Sequence, residues 1–246
     1  MAEFTPMMQQ YLQTKEEYKD CILFYRLGDF YEMFFEDAEL VSKELELTLT
    51  GKNCGMEERA PMCGIPYHAV EGYLNKLVAN GHKVAICEQV EDPKLAKGLV
   101  RREVIRIVTP GTNLDMQALD ESKNNYIMCI VYLADRYGVS IADVSTGDYY
   151  VTEVDSERKL FDEITKFSPS EIICNESFYM SGVDIEDLRH RLKITIYALE
   201  TWYFGDELAE TTLLTHFKVK SLEALGLADY DCGMVAAGAL IKYLYE

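Results

Sequence analysis

Cys21-Ile22-Leu23-Phe24-Tyr25-Arg26-Leu27-Gly28-Asp29-Phe30-Tyr31-Glu32-Met33-Phe34-Phe35-Glu36-Asp37-Ala38 is the stretch on which the fold turns. The apolar run from Cys21 to Tyr25 reads as a buried strand, and Gly28 ends it. Asp29 is then placed to cap a helix over 30–45, with Phe30-Tyr31-Glu32 as its first turn. Asp29 followed three residues later by Glu32 matches a capping box. Phe30, Phe34, Ala38, Val41 and Leu45 are spaced by four, four, three and four, a single apolar stripe with Phe30 as its first core residue. The same residues also suit a different job. Two aromatics and a carboxylate at an exposed helix start, after a tight turn, would make a projecting wedge with a polar reader beside it. The residues by themselves leave both readings open.

Working outward, Thr5-Pro6 is a helix start, and 21–27 is a strand. Glu46 to Thr50 alternates like a short strand, and 51–67 is a loop whose prolines and glycines give it a fixed, non-helical path. A helix from His68 stops at Asn80-Gly81. Strands follow over 83–90 and 102–109, joined by a short basic connection over 93–99. Pro110-Gly111 opens a polar, aperiodic stretch that reads as a linker. Beyond it come strands over 126–134, 139–144 and 149–154, with turns over 135–138 and 145–147. A helix from Ser156 to Pro169, a short strand over 171–174, a helix over 183–192, an extended piece over 193–198 and a helix over 206–217 follow. The last helix, 232–245, is apolar and has no stop signal, which suggests a chain that continues.

The whole chain has 246 residues, enough for one large or two ordinary domains, and 48% of them are hydrophobic. No apolar run approaches the ~20 residues of a membrane helix. The N-terminus lacks the basic-then-apolar pattern of a secretory signal. Seven scattered cysteines without a C-x-x-C pair read as reduced thiols of a cytosolic protein, and the four histidines are too dispersed for a metal centre. The net charge of −18 argues against nonspecific nucleic-acid binding by the whole chain. The charge is uneven. Residues 1–115 hold 13 Lys+Arg against 19 Asp+Glu, and residues 116–246 hold 11 against 23. Lys94, Lys97, Arg101, Arg102 and Arg106 form the one basic concentration.

Catalytic motifs are scarce. There is no G-x-x-x-x-G-K-[ST] loop, no G-x-G-x-x-G after a strand and no G-x-S-x-G elbow. Asp143, on the first hairpin of a meandering sheet, stands where a ribonuclease H-like nuclease places a metal ligand. Glu153, Asp155 and Glu163 are the candidates to complete such a site. The plainer reading is that Asp143 and Ser145 polarise a tight turn.

The motifs 28–32 (Gly-Asp-Phe-Tyr-Glu), 61–68 (Pro-Met-Cys-Gly-Ile-Pro-Tyr-His), 84–89 (Val-Ala-Ile-Cys-Glu-Gln) and 106–112 (Arg-Ile-Val-Thr-Pro-Gly-Thr) occur in one order. With the Thr5-Pro6-Met7-Met8-Gln9-Gln10-Tyr11 start, they make the chain resemble the MutS family of bacterial DNA mismatch repair proteins. The resemblance covers essentially all of 1–115. It extends to 116–246 chiefly through the hairpin over 143–147. It implies an α/β (α+β) chain: a mixed-sheet mismatch-recognition domain over 1–112, a linker over 113–125, and a ribonuclease H-like connector domain over 126–246. It also implies an N-terminal fragment, without the family's lever, clamp and ATPase domains.

By the same resemblance Phe30 enters the minor groove of mismatched double-stranded DNA and stacks on the mispaired base, which Glu32 hydrogen-bonds. Met62 braces the wedge, and Lys52 and Arg26 are possible phosphate contacts. Tyr31 packs inward. The connector links sensing to the ATPase domains and to MutL. Catalysis is not expected of this piece, nor any cofactor, since ATP and magnesium belong to the missing domains. A cytoplasmic, nucleoid-associated, monomeric chain without membrane contact is the expectation. A metal-dependent nuclease using Asp143 is the alternative.

Overall fold

The computed structural model describes residues 3–91, 96, 98–114 and 124–246. Its contacts divide the chain into two compact units, Met1–Asp115 and Met116–Glu246.

In the first unit the elements are α1 (Pro6–Glu17), β1 (Ile22–Leu27), β2 (Phe30–Phe34), α2 (Phe35–Glu44), β3 (Thr50–Lys52), β4 (Ala60–Pro66), α3 (Val70–Ala79), β5 (Val84–Gln89) and β6 (Arg102–Val108). They build a mixed six-stranded sheet in the order β3-β4-β2-β1-β5-β6, in which only β1 and β5 run parallel. Thr5 caps α1 by accepting from the Met8 N–H at 3.4 Å, and Pro6 occupies the first turn, where its missing N–H costs nothing. Alternation along β1 sends Leu23 and Tyr25 to one face, against Met8 and Tyr11 of α1. Ile22 and Phe24 go to the other, against Ala38 and Val41 of α2 and Leu74, Leu77 and Val78 of α3.

The expected helix over 30–45 is corrected here. Its first five residues are strand β2, and α2 begins only at Phe35. Leu27 pairs with Phe30 across a two-residue hairpin, with Gly28 at φ +59°. Hairpin turns whose twist matches the strands need a positive φ there, which glycine supplies without strain. Asp29 therefore lies in the turn and caps no helix. The carboxylate that orders this region is Asp37, in the first turn of α2. It accepts from the Leu23 N–H at 3.0 Å and pairs with Lys15 at 2.9 Å. The strand expected over 46–50 starts only at Thr50, and the segment expected as a loop contains β4, bonded to both β2 and β3. Lys94, Lys97 and most of the expected linker lie outside the described residues.

The second unit comprises β7 (Tyr126–Leu133), β8 (Arg136–Asp143), β9 (Asp148–Val154), α4 (Glu157–Phe167), β10 (Glu171–Cys174), α5 (Ile185–His190), β11 (Thr195–Ala198), α6 (Asp206–Phe217) and α7 (Cys232–Leu244). The sheet order is β11-β10-β7-β8-β9. An antiparallel meander is extended on the far side of its first strand by two parallel strands, as a ribonuclease H-like unit requires. Central β7 is buried on both faces. Ile127, Cys129 and Val131 face α6 and α7, while Met128 and Ile130 face α4 and α5.

The turn between β7 and β8 is Ala134-Asp135, both with positive φ, one step earlier than the sequence suggested. Helix α7 is apolar because it is core: its residues from Cys232 to Ile241 are buried. It lies so close to β8 that a Cβ on Gly138 would stand 2.0 Å from the Cys232 carbonyl oxygen. All seven cysteines are buried and unbridged. Among the described residues no helix is long and apolar enough to cross a membrane.

Candidate nucleic-acid interface

The β1–β2 hairpin carries Phe30 at its tip, where the side chain is 46% exposed. Two residues on, Glu32 shares its face of the sheet. Tyr31 and Met33 alternate to the other face and are buried in the core. Strand β4 lies against β2 with Phe30 opposite Pro66, Glu32 opposite Gly64 and Phe34 opposite Met62. Strand β3 follows, with Thr50 opposite Met62 and Lys52 opposite Ala60. Phe30, Glu32, Met62 and Lys52 are thus gathered on one sheet face by three adjacent strands.

Gly64 lies directly beside Glu32 and Phe30 on this face. A Cβ there would sit 3.6 Å from Glu32 Cγ and 3.8 Å from the Phe30 ring. Met62 is half-buried against the cluster that includes Phe34. The Glu32 carboxylate accepts from Lys52 Nζ at 2.5 Å, with the two side chains 15% and 32% exposed. The face is therefore close to neutral, an exposed aromatic beside a paired carboxylate.

Arg26 points the other way. It pairs in register with Tyr31, and its guanidinium donates to Glu88 at 3.2 Å and lies 3.7 Å from the centre of the Tyr67 ring. The Tyr31 hydroxyl donates to the same Glu88 carboxylate. Burial, with Glu88 beside it, pushes the Tyr31 phenol above its ordinary range. Gly64 and Tyr67 stand in the 61–68 motif and Glu88 in the 84–89 motif, but the sequence reading gave them no place at this site. The signal that leads to them was present: a Gly-Asp pair between two β-prone runs is a hairpin pattern, and hairpin register names the neighbours.

In the second unit Asp143 is buried at the end of β8. Its carboxylate accepts from the Ser145 N–H at 2.9 Å, the Ser145 hydroxyl at 2.5 Å, Asn124 Nδ2 at 2.8 Å and the Asn125 N–H at 3.2 Å. Burial by itself would raise this carboxyl, but those donors hold it below its ordinary value. The other candidate ligands have partners of their own. Glu153 accepts from the Gly233 N–H and pairs with Arg136, Asp155 pairs with Lys159, and Glu163 pairs with Lys166. Among the described residues no three His, Cys, Asp or Glu side chains converge to hold a metal ion. The nuclease alternative finds no support, and Asp143 is the keystone of a turn.

Residues 5–117 match the family model described as MutS domain I, and residues 125–246 match that of MutS domain II. The chain belongs to the MutS family. It is 66% identical over 246 residues to the DNA mismatch repair protein MutS of Lachnoclostridium phytofermentans, an alignment that covers all of this chain and 26% of that protein. The protein of the same name from Acetivibrio thermocellus is 53% identical over 249 residues, covering 100% of this chain and 28% of the relative. That of Ruminiclostridium cellulolyticum is 51% identical over 247 residues, covering 99% and 28%. The chain thus spans about a quarter of the length of the MutS proteins it matches. Within the MutS family the exposed hairpin belongs to domain I and the Asp143 turn to domain II.

Proposed function

We propose that this chain is the mismatch-sensing and connecting portion of a MutS-type DNA mismatch repair protein, and that Phe30 is its sensing side chain. The observation that carries this reading is the exposure of Phe30 at the tip of a hairpin that is otherwise locked into a six-stranded sheet. Leaving a phenylalanine half exposed forgoes part of the about 1.5–3 kcal/mol that full burial would supply. A rigid strand presents it, so the ring can enter a base step without first being ordered.

In the minor groove an aromatic wedge unstacks one step and kinks the duplex, at a cost of roughly a few kcal/mol for paired DNA. A mismatch is already poorly stacked, so the same wedge costs less there. Stacking on the mispaired base returns ~1–3 kcal/mol. Glu32 supplies the second criterion. A carboxylate is repelled by phosphates and stays only where an exposed base edge offers a donor, which a paired minor groove seldom does. Lys52 partners Glu32 in the free protein and is drawn toward phosphate when DNA arrives. Met62 braces the face from β4.

The second unit, acidic and without a metal-holding cluster of His, Cys, Asp or Glu among its described residues, serves as the connector toward ATPase domains and MutL. ATP and magnesium are assigned to those other domains and to no residue of this chain. In this role the chain works as a monomeric, non-catalytic unit in the cytoplasm, on nucleoid DNA.

The test is a low-salt titration against two duplexes, one with a single G·T mismatch and one fully paired, with the unaltered chain and with Phe30→Ala. Preference for the mismatch that vanishes in the variant supports the reading. Preference that survives Phe30→Ala removes Phe30 from the mechanism.

A further inference from the structure

On the sheet face turned away from Phe30, one row of side chains crosses the strands directly behind the hairpin. Tyr31 on β2, Arg26 on β1 and Glu88 on β5 are neighbours, because Arg26 pairs with Tyr31 and Tyr25 pairs with Cys87. Tyr67, one residue past the end of β4, closes the row. Glu88 accepts from both the Tyr31 hydroxyl and Arg26 Nη1, and the guanidinium lies flat enough on Tyr67 to sit 3.7 Å from its ring centre. Arg26 Nε then reaches the turn itself and donates to the Gly28 carbonyl at 2.5 Å. The Tyr67 backbone N–H donates to the Asp29 carbonyl at 2.9 Å. Both carbonyls of the two-residue turn are held in this way, one by a side chain that is itself held on two sides. The planar fork of arginine permits these contacts together, and an ammonium does not.

We propose that Arg26, gripped by Glu88 and Tyr67, is a positioning residue that fixes the Gly28-Asp29 turn and so sets the direction in which Phe30 projects. The proposal rests on the reading of Phe30 as the base-stacking side chain. A recognition group works only while its own support confines it to a fraction of an ångström. A turn freed from Arg26 keeps Phe30 exposed but lets it wander, so mismatch preference falls while general affinity for DNA is kept. A phosphate-contact role for Arg26 would require it to leave Glu88 and Tyr67, and would leave a different signature.

The experiment compares Arg26→Lys, Arg26→Ala, Glu88→Gln and Phe30→Ala with the unaltered chain. Amide hydrogen exchange across residues 28–31 is measured first, with the Ala85 amide on β5 as an internal standard for global opening. Arg26→Lys keeps the charge and removes the fork. Hairpin amides are expected to exchange about tenfold faster relative to Ala85. Glu88→Gln keeps volume and an acceptor and should give a smaller rise, which guards against reading general destabilisation as loss of the clamp. Binding to G·T and paired duplexes over a salt series follows. The mismatch ratio of Arg26→Lys should fall toward that of Phe30→Ala with the salt slope unchanged. Unchanged hairpin exchange overturns the proposal. So does a retained mismatch ratio with a salt slope reduced in Arg26→Ala by about one, the mark of a lost phosphate contact. If Phe30→Ala itself keeps full mismatch preference, the reading of Phe30 fails, and the exchange data still decide whether Arg26 holds the turn.

Discussion

Glu32 and Lys52 form an ion pair on the same sheet face as the exposed Phe30. Their ion pair is partly open to water, so it contributes little to stability, about 0–1 kcal/mol. In the proposed reading its value lies in how it responds to DNA, whose phosphates would attract Lys52 and repel Glu32. Glu32→Gln removes the repulsion and leaves an amide that still fits the site. Affinity for fully paired DNA is expected to rise by roughly tenfold, about 1.4 kcal/mol, while affinity for a mismatch changes less. Fluorescence anisotropy on the two duplexes measures this. Equal losses on both would show that Glu32 is an ordinary attractive contact. Lys52→Met leaves Glu32 uncompensated and is expected to weaken both complexes, with the salt slope falling by about one.

At the scale of elements, two packing features make predictions that concern folding alone. Helix α7 crosses β8 at Gly138 with no room for a methyl group. Gly138→Ala must push the helix off the sheet, at a cost of about 3 kcal/mol. Urea denaturation followed in the second unit reads that loss. The Asp143 turn gives a pH dependence. Its carboxyl is held below the ordinary value, so its contribution is present above the unfolded value of about 3.9 and is lost as pH falls through the lower folded value. The Tm difference between the unaltered chain and Asp143→Asn should therefore be largest near neutrality and shrink in acid. A difference independent of pH would show that the carboxylate charge is not what the turn uses.

The same scale explains what the sequence disclosed. Helices α1, α3 and α4 were legible because cap and stripe agree: Thr5 with Pro6, Asn80 with Gly81, and Ser156 before Leu160 and Ile164. Strand β2 was not. Phe34 stands at the join of two patterns, the alternation of 30, 32 and 34 and the helical spacing of 34, 38, 41 and 45. Asp29 and Glu32 added a capping-box pattern to the wrong side of that join. The choice between strand and helix was made by hairpin pairing with β1 and β4, which local spacing does not encode. The roles proposed for Phe30 and Glu32 came from the family resemblance. The packing around them, with Arg26 behind the sheet and Lys52 beside Glu32, needed the register.

For the whole molecule, the two halves close their cores separately. Among the described residues, the clusters around β1 and β5 draw on residues before 115, and those around β7 on residues after 125. Residues 1–115 alone are expected to fold with a cooperative transition of their own, which near-ultraviolet circular dichroism and hydrogen exchange can follow. Failure to fold would show that the first unit depends on the second. In the proposed reading, selectivity comes from the cost of deforming a base step and from one or two contacts at it. That is why a single aromatic can dominate.

The most direct measurement places 5-iodouracil at the mispaired position of a G·U-type mismatch and, in a control duplex, opposite adenine. Long-wavelength irradiation joins that base to an aromatic side chain stacked on it, and mass spectrometry locates the joined residue. The account predicts a crosslink at Phe30 with the mismatched duplex and none at Phe30 with the paired one. A crosslink confined to another aromatic, or equal at Phe30 in both duplexes, would contradict it.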